Sequence, residues 1–256
     1  MAGFKDHFSG VAEAYRAFRP GYPVALFSWM AAVAPGTDLA ADLGCGNGQA
    51  AVSLATYFAE VVGVDPSSEQ IARAEQHPRV RYVVAPAERT SIPGGTVDLA
   101  LAAQSFHWFD PEPFRVELQR IARPGAVFVA CTYGLCRICP EVDEVVDLLY
   151  GDLLGPWWPP ERRHVESGYQ TLPFPADELE VPRFEIAEEW PLEQFLGYLG
   201  TWSAVGAYRR ATLQDPVGEV IPELRKAWGS AGARRQVRWP LVVRAGRVGG
   251  AAPSEG

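Results

Sequence analysis

Three glycines stand at alternate positions in Asp42-Leu43-Gly44-Cys45-Gly46-Asn47-Gly48. An apolar run from Leu39 precedes them, and the alanine-rich Gln49-Ala50-Ala51-Val52-Ser53-Leu54-Ala55 follows directly. Glycine reaches positive φ freely and has no Cβ to hold a ligand away from the backbone. A helix that starts there presents unpaired N–H groups and the positive end of its dipole. Strand, turn and helix together predict a nucleotide-like cofactor resting on the backbone of Gly44, Cys45 and Gly46. A surface turn without a ligand is the plainer alternative, and the flanking strand and helix speak against it. Glu60-Val61-Val62-Gly63-Val64-Asp65 is a second apolar segment, closed by an acid 17 residues after Gly48. A carboxylate at the end of a second strand can grip both hydroxyls of a ribose. The third candidate stretch is Gln104-Ser105-Phe106-His107-Trp108-Phe109-Asp110, which follows the apolar run 97–103. Ligands of open α/β sheets sit outside the carboxyl ends of the strands, so this heptapeptide falls where a reactant would be met. Histidine titrates near neutrality, which makes His107 a candidate base or acceptor-positioning group, with a structurally packed histidine as the alternative. Trp108 and Phe109 could wall a cation or an acceptor, or fill the core.

A dinucleotide fingerprint requires a small residue one place further on, where Gln49 stands. Asp42-Leu43-Gly44-Cys45-Gly46-Asn47-Gly48 instead resembles the first motif of Rossmann-like S-adenosylmethionine-dependent methyltransferases, D/E-x-G-x-G-x-G. The resemblance implies S-adenosyl-L-methionine as cofactor, with Asp42, Gly44, Cys45, Gly46, Asp65, Pro66, Gln104 and Ser105 around it. Tyr15-x3-Arg19-Pro20-x-Tyr22-Pro23 resembles the N-terminal segment of a subgroup related to trans-aconitate methyltransferases, methyltransferase type 11. In that subgroup the segment folds over the cofactor. This implies Tyr15 and Arg19 near the methionine end, with Arg19 a partner for its carboxylate. Ala85-Pro86-Ala87-Glu88-Arg89-Thr90-Ser91-Ile92-Pro93 resembles the stretch that borders adenine, which implies the Ala87 N–H against the ring. Pro86 replaces the polar side chain usual there, so the adenine amino group is left to Glu88 or to water. Tyr198-Leu199-Gly200-Thr201-Trp202-Ser203-Ala204 resembles the stretch that faces the acceptor pocket in the same subgroup.

The elements that must position these residues read as an α/β chain. The expected fold is a Rossmann-like, seven-stranded, mostly parallel sheet with helices on both faces and a mainly helical lid. Strands are expected near 37–43, 60–65, 80–84, 97–103, 126–130, 184–190 and 235–244, with helices over 112–122, 141–154, 192–205 and 216–228. The expected division is an N-terminal lid segment (1–30), a cofactor-binding core (31–133) and a lid insertion (134–182). The C-terminal part of the sheet with lid helices (183–245) and a flexible tail (246–256) complete it. The insertion, rich in proline and tryptophan, does not read as strand.

With 256 residues, 48% hydrophobic and 21% charged, the chain can bury one sizeable α/β core. A formal net charge of −8 excludes a chain-wide basic field for nucleic acid. No apolar run approaches the ~20 residues of a membrane helix, and the N-terminus has no signal-peptide core. A cytoplasmic protein is expected, without nucleic-acid or membrane partners, as a monomer or homodimer. Cys131, Cys136 and Cys139 match the start of a ferredoxin-type spacing, yet no cysteine follows to complete it. Incidental thiols in a reducing compartment are the better reading, and no metal is expected.

Methyl transfer from a sulfonium needs orientation and a dry site more than it needs a nucleophilic side chain. A base helps an alcohol or a protonated amine, whereas a carboxylate or unprotonated nitrogen needs none. The chain lacks an Asn/Asp-Pro-Pro-Tyr motif after the fourth strand, which disfavours DNA-adenine and protein-glutamine acceptors. A small organic acceptor is therefore expected, by O- or N-methylation. Trp108, Trp157, Trp158, Tyr169, Trp202 and Arg209 are the residues expected around it, although each tryptophan could equally be core. Two alternatives remain. A nicotinamide-dependent oxidoreductase would need a Tyr-x3-Lys or comparable dyad; with Lys5 and Lys226 the only lysines, Tyr-x3-Lys is absent. A non-methylating S-adenosylmethionine-binding protein on the same fold is the other.

Overall fold

The computed structural model describes residues 18–230 and 232–249. Tyr15, and with it the reading of the segment ahead of Phe18, lies outside them. The first half of the chain runs α1 (Val24–Val33), β1 (Leu39–Leu43), α2 (Gln49–Leu54), β2 (Glu60–Asp65), α3 (Ser68–Ala72) and β3 (Val80–Val84). Next come β4 (Val97–Ala103), a 3-10 turn at Phe106–Trp108, α4 (Pro111–Ile121), β5 (Ala122–Tyr133) and α5 (Pro140–Asp147). The remainder is α6 (Arg162–Glu166), β6 (Asp177–Glu178), β7 (Phe184–Pro191), α7 (Leu192–Gly200), α8 (Ser203–Thr212), α9 (Pro216–Trp228) and β8 (Arg234–Arg247).

The sheet order is β3-β2-β1-β4-β5-β8-β6, with β7 also paired to β8. The first five strands are parallel to their neighbours and β8 is antiparallel to β5, so the helices between parallel strands must cross over the faces. All five residues of β1 are buried, as a strand covered on both sides requires. Alternation sorts the strands into two cores. Ala40, Leu99, Leu101, Val127 and Val129 face the side of α1, α2, α7 and α9. Ala41, Leu43, Val62, Val64, Ala100 and Phe128 face Phe114, Leu118 and Ile121 of α4. No helix among the described residues is long and apolar enough to cross a membrane.

The Rossmann-like fold is as expected, with four local corrections. The sheet has eight strands, because Asp177–Glu178, inside the stretch read as strand-free, pairs with Arg247 and Gly246. The single helix expected over 192–205 is two, α7 and α8. The Thr201 hydroxyl donates to the Tyr198 carbonyl (2.6 Å), and Trp202 is extended (φ −67°, ψ 136°). The tail expected to fray from Ala245 is instead strand through Arg247: Leu179 N–H donates to the Ala245 carbonyl and Val248 N–H to that of Ala126. The helix expected over 141–154 holds to Asp147 and then widens into a π-type turn at Leu148–Leu153.

Candidate active site

Gly44, Gly46 and Gly48 all lie in the left-handed region, at φ +70°, +54° and +83°. Two of them also make room. A Cβ on Gly44 would fall 2.5 Å from the Ser105 Cβ, and one on Gly48 would fall 2.1 Å from the Tyr82 hydroxyl. A Cβ on Gly46 would meet nothing within 4 Å, so the middle glycine is the one that presents bare backbone to open space. The amides behave differently from the sequence expectation. Gly44 and Cys45 both donate to the Val64 carbonyl, Gly46 to the Asp65 carboxylate and Gly48 to the Cys45 carbonyl. The bend is thus tied to the end of β2, and it offers a ligand the outer face of Gly46 rather than those four N–H groups.

Two buried acids support the bend. Asp65 accepts from Gly46 N–H through one oxygen and from Ser67 N–H through the other, each at 2.8 Å. It joins the glycine turn, the end of β2 and the start of α3, with Pro66 between. Asp42 is wholly buried on β1, and among the described residues neither carboxylate oxygen has a hydrogen-bond partner. Burial, and then the charge of Asp65, push its pKa up to about 7. The Ala51 amide opposes this shift without reaching hydrogen-bond geometry. A buried, unsatisfied carboxylate is costly, and a cationic or hydrogen-bond-donating group is what it lacks. The orphaned Asp42 and the open face of Gly46 fit a nucleoside that carries an ammonium and a sulfonium.

The end of β4 supplies the adjoining wall. Gln104 is left-handed at φ +57°, unusual for a residue with a side chain. Its amide is spent on β5, accepting from the Thr132 hydroxyl (2.7 Å) and donating to the Tyr133 carbonyl (3.0 Å). Ser105 is buried and donates to the Leu43 carbonyl (2.7 Å), so its hydroxyl braces the glycine turn. Ala87 is buried, and Glu88 turns one carboxylate oxygen to the Asp110 N–H (2.8 Å). Cys45 is a free thiol, and burial raises its pKa.

A pocket opens beside Gln104, with His107, Trp108, Trp158, Arg162 and Trp202 in its wall and no acidic side chain among its lining residues. Arg19 also reaches it, donating to the Thr201 carbonyl (3.2 Å) with its guanidinium 5.4 Å from the Tyr198 ring centre. His107 is turned so that Nδ1 lies 3.0 Å from the Tyr169 hydroxyl. Its pKa is pushed down to about 3, by burial first and then by the cations of Arg162 and His164. The imidazole is neutral at working pH and a weak proton acceptor.

Three residues expected around the acceptor do not line this pocket: Trp157, Arg209 and Tyr169, whose buried ring meets it through His107. Trp157 packs edge-on against Tyr208 of α8, 5.5 Å between ring centres, and does not line the pocket. Arg209 lies in the last turn of α8 and pairs with exposed Asp215 (2.8 Å). Arg162 was not anticipated. Its Nε donates to the Tyr150 hydroxyl (2.8 Å), and its guanidinium lies over the rings of Trp158 (4.7 Å) and Tyr150 (5.3 Å). The signal for it was Trp157-Trp158-Pro159-Pro160 immediately before Glu161-Arg162, a rigid aromatic stretch handing over to a cation.

Residues 41–130, which hold the glycine turn, both acids and Gln104, match the family model described as a methyltransferase domain. A Dictyostelium discoideum protein named as a methyltransferase is 32% identical over 88% of this chain and 87% of its own. A Saccharomyces cerevisiae protein named as an S-adenosylmethionine-dependent methyltransferase is 30% identical over 60% of this chain and 58% of its own. A solved structure described as a type II methyltransferase from Anaeromyxobacter dehalogenans is 59% identical, with a TM-score of 0.84 over 90% of this chain and 98% of that one.

Proposed function

The chain belongs to the S-adenosylmethionine-dependent methyltransferases, and on that premise we propose that it methylates a small organic acceptor held in the aromatic pocket beside Gln104. When bound, the cofactor would supply an activated methyl group on its sulfonium, for transfer to the acceptor by in-line displacement with the neutral thioether as leaving group. The open face of Gly46 takes its backbone-facing side, Asp42 is the partner for its ammonium, and Asp65 is the acid beside its ribose. Gln104, fixed by both amide hydrogen bonds to β5, separates this site from the pocket. The tryptophans exclude water and Arg19 orients polar groups at the rim.

The observation that carries this reading is a pocket of aromatic and cationic side chains at the carboxyl ends of β4 and β5, next to the glycine turn. Such walls with few polar groups suit small molecules. On this reading the enzyme works in the cytoplasm as a monomer or homodimer, without a nucleic-acid or membrane partner; the net charge of −8 speaks against a nucleic-acid partner, and the four free thiols fit a reducing compartment.

His107 holds the acceptor by a hydrogen bond and does not take its proton, because a pKa near 3 leaves it too weak a base. The accepting atom must then arrive as a free nucleophile. The experiment follows S-adenosylhomocysteine release over a panel of small organic acids, phenols and amines. Turnover is expected with at least one, without a pH limb from His107 between pH 5 and 8. His107→Phe should lower it roughly ten-fold, as the loss of one hydrogen bond implies. Turnover confined to protein or nucleic acid would overturn the reading, and so would tight donor binding with no turnover on any acceptor.

A further inference from the structure

The insertion after β5 returns to the sheet through a tight turn at Gly168–Tyr169, and both residues are left-handed, at φ +59° and +64°. Tyrosine adopts that conformation only when its surroundings impose it, and such strain gathers at functional sites. Here the surroundings come from β8. A Cβ on Gly168 would fall 3.1 Å from a Val242 methyl, so the turn rests directly on the strand. One place further in register, Arg244 is buried, and its Nη1 donates to the carbonyls of Tyr169 (2.6 Å) and Leu172 (3.0 Å). Its Nη2 pairs with Glu178, and its guanidinium lies 4.4 Å from the Phe174 ring centre. A planar fork is suited to holding two carbonyls and a carboxylate at once, which an ammonium cannot reproduce.

What the clamp fixes is the Tyr169 ring. It is fully buried and edge-on to Phe106 (5.5 Å), and its hydroxyl reaches His107 Nδ1 at 3.0 Å. A phenol donates to an imidazole nitrogen far more readily than it accepts from one, so the Tyr169 hydroxyl at Nδ1 favours the tautomer that carries its proton on Nε2. We propose that Arg244 is a positioning residue for the acceptor pocket: it holds the left-handed Gly168–Tyr169 turn against β8, so that the Tyr169 hydroxyl keeps His107 in one orientation and one tautomer. This rests on the reading of His107 as a pocket group. It extends the site to Arg244, which is not itself among the residues that line the pocket.

The test needs no acceptor. Ring-nitrogen NMR of His107 in the full chain should show one protonated and one unprotonated nitrogen, well separated in shift. Tyr169→Phe removes only the hydroxyl and should collapse that separation into a tautomer average. Arg244→Lys should do the same, while the His77 signals and the sheet amide shifts stay in place. Millimolar guanidinium added to Arg244→Ala should restore the wild-type His107 pattern. Should the Arg244 variants fail to fold, Glu178→Gln keeps the arginine and removes its charge partner, and a partial loss of the separation is expected. A fixed His107 tautomer in Arg244→Lys or in Glu178→Gln would overturn the proposal, as would a mixed tautomer in the wild type. Donor binding to the wild type is measured alongside. Its absence would count against the methyltransferase reading and leave the His107 result standing on its own.

Discussion

Asp42 carries opposite signs for stability and for binding. Its pKa is raised from the ordinary carboxylate range to about 7, so the folded state binds a proton that the unfolded chain has given up between pH 4 and 7. Folding stability from this group is therefore whole below about pH 4 and is lost as pH rises through 7. Asp42→Asn removes the titration and is predicted to raise folding stability most at pH 8, by on the order of 1–4 kcal/mol, with a matching rise in melting temperature. The same variant should weaken S-adenosylmethionine binding, because the orphaned charge is what answers the ammonium. Melting curves and donor titrations at pH 5 and pH 8 check both halves; a variant no more stable at pH 8 than at pH 5, relative to wild type, would contradict the assignment. The acid before the first glycine was legible in the sequence. That its oxygens lack partners was not, because desolvation depends on the two helices that close over β1.

At the scale of the element, the strand-turn-helix unit separates two roles that the spacing alone left merged. Gly44 and Gly48 make room for Ser105 and for Tyr82, whose hydroxyl is itself fixed on the Glu75 carbonyl (2.7 Å). Gly46 faces outward. Gly48→Ala is therefore predicted to destabilise the fold by about 2–4 kcal/mol, from left-handed strain together with a clash against a held side chain. Gly46→Ala should cost about 1–2 kcal/mol of stability and lower donor affinity by a larger factor than Gly48→Ala does in its folded fraction. Chemical denaturation and calorimetry would separate them, and equal stability losses would refute the division. Of the parallel strands, β1, β2 and β4 were the most readable, because each is a largely apolar run that stops at Gly44, Asp65 or Gln104. The break between α7 and α8 was not, because the Thr201 hydroxyl closes the first helix on its own backbone, with apolar residues on both sides of it.

The whole molecule brings the pocket together from three distant parts of the chain: Arg19 ahead of the sheet, Trp158 and Arg162 from the insertion, and Trp202 from the C-terminal helices. This long-range assembly is why the cofactor half of the site could be read from local motifs, while the acceptor half was read only in part. Trp158 and Trp202 line the pocket. Trp157 and Arg209 have the right composition and a different direction, which neighbouring helices decide. Arg162 escaped notice because its role depends on the Tyr150 and Trp158 rings that flank it. β8 ties these parts to the core by pairing with β5, β6 and β7.

The central claim is that the glycine turn and its two acids hold S-adenosylmethionine. Calorimetric titration of the wild type and of Asp65→Ala with S-adenosylmethionine and with NAD tests it most directly. Saturable one-to-one binding of S-adenosylmethionine, at least ten-fold weaker in Asp65→Ala, is the predicted result. Saturable NAD binding without S-adenosylmethionine binding, or an affinity indifferent to Asp65, would contradict it.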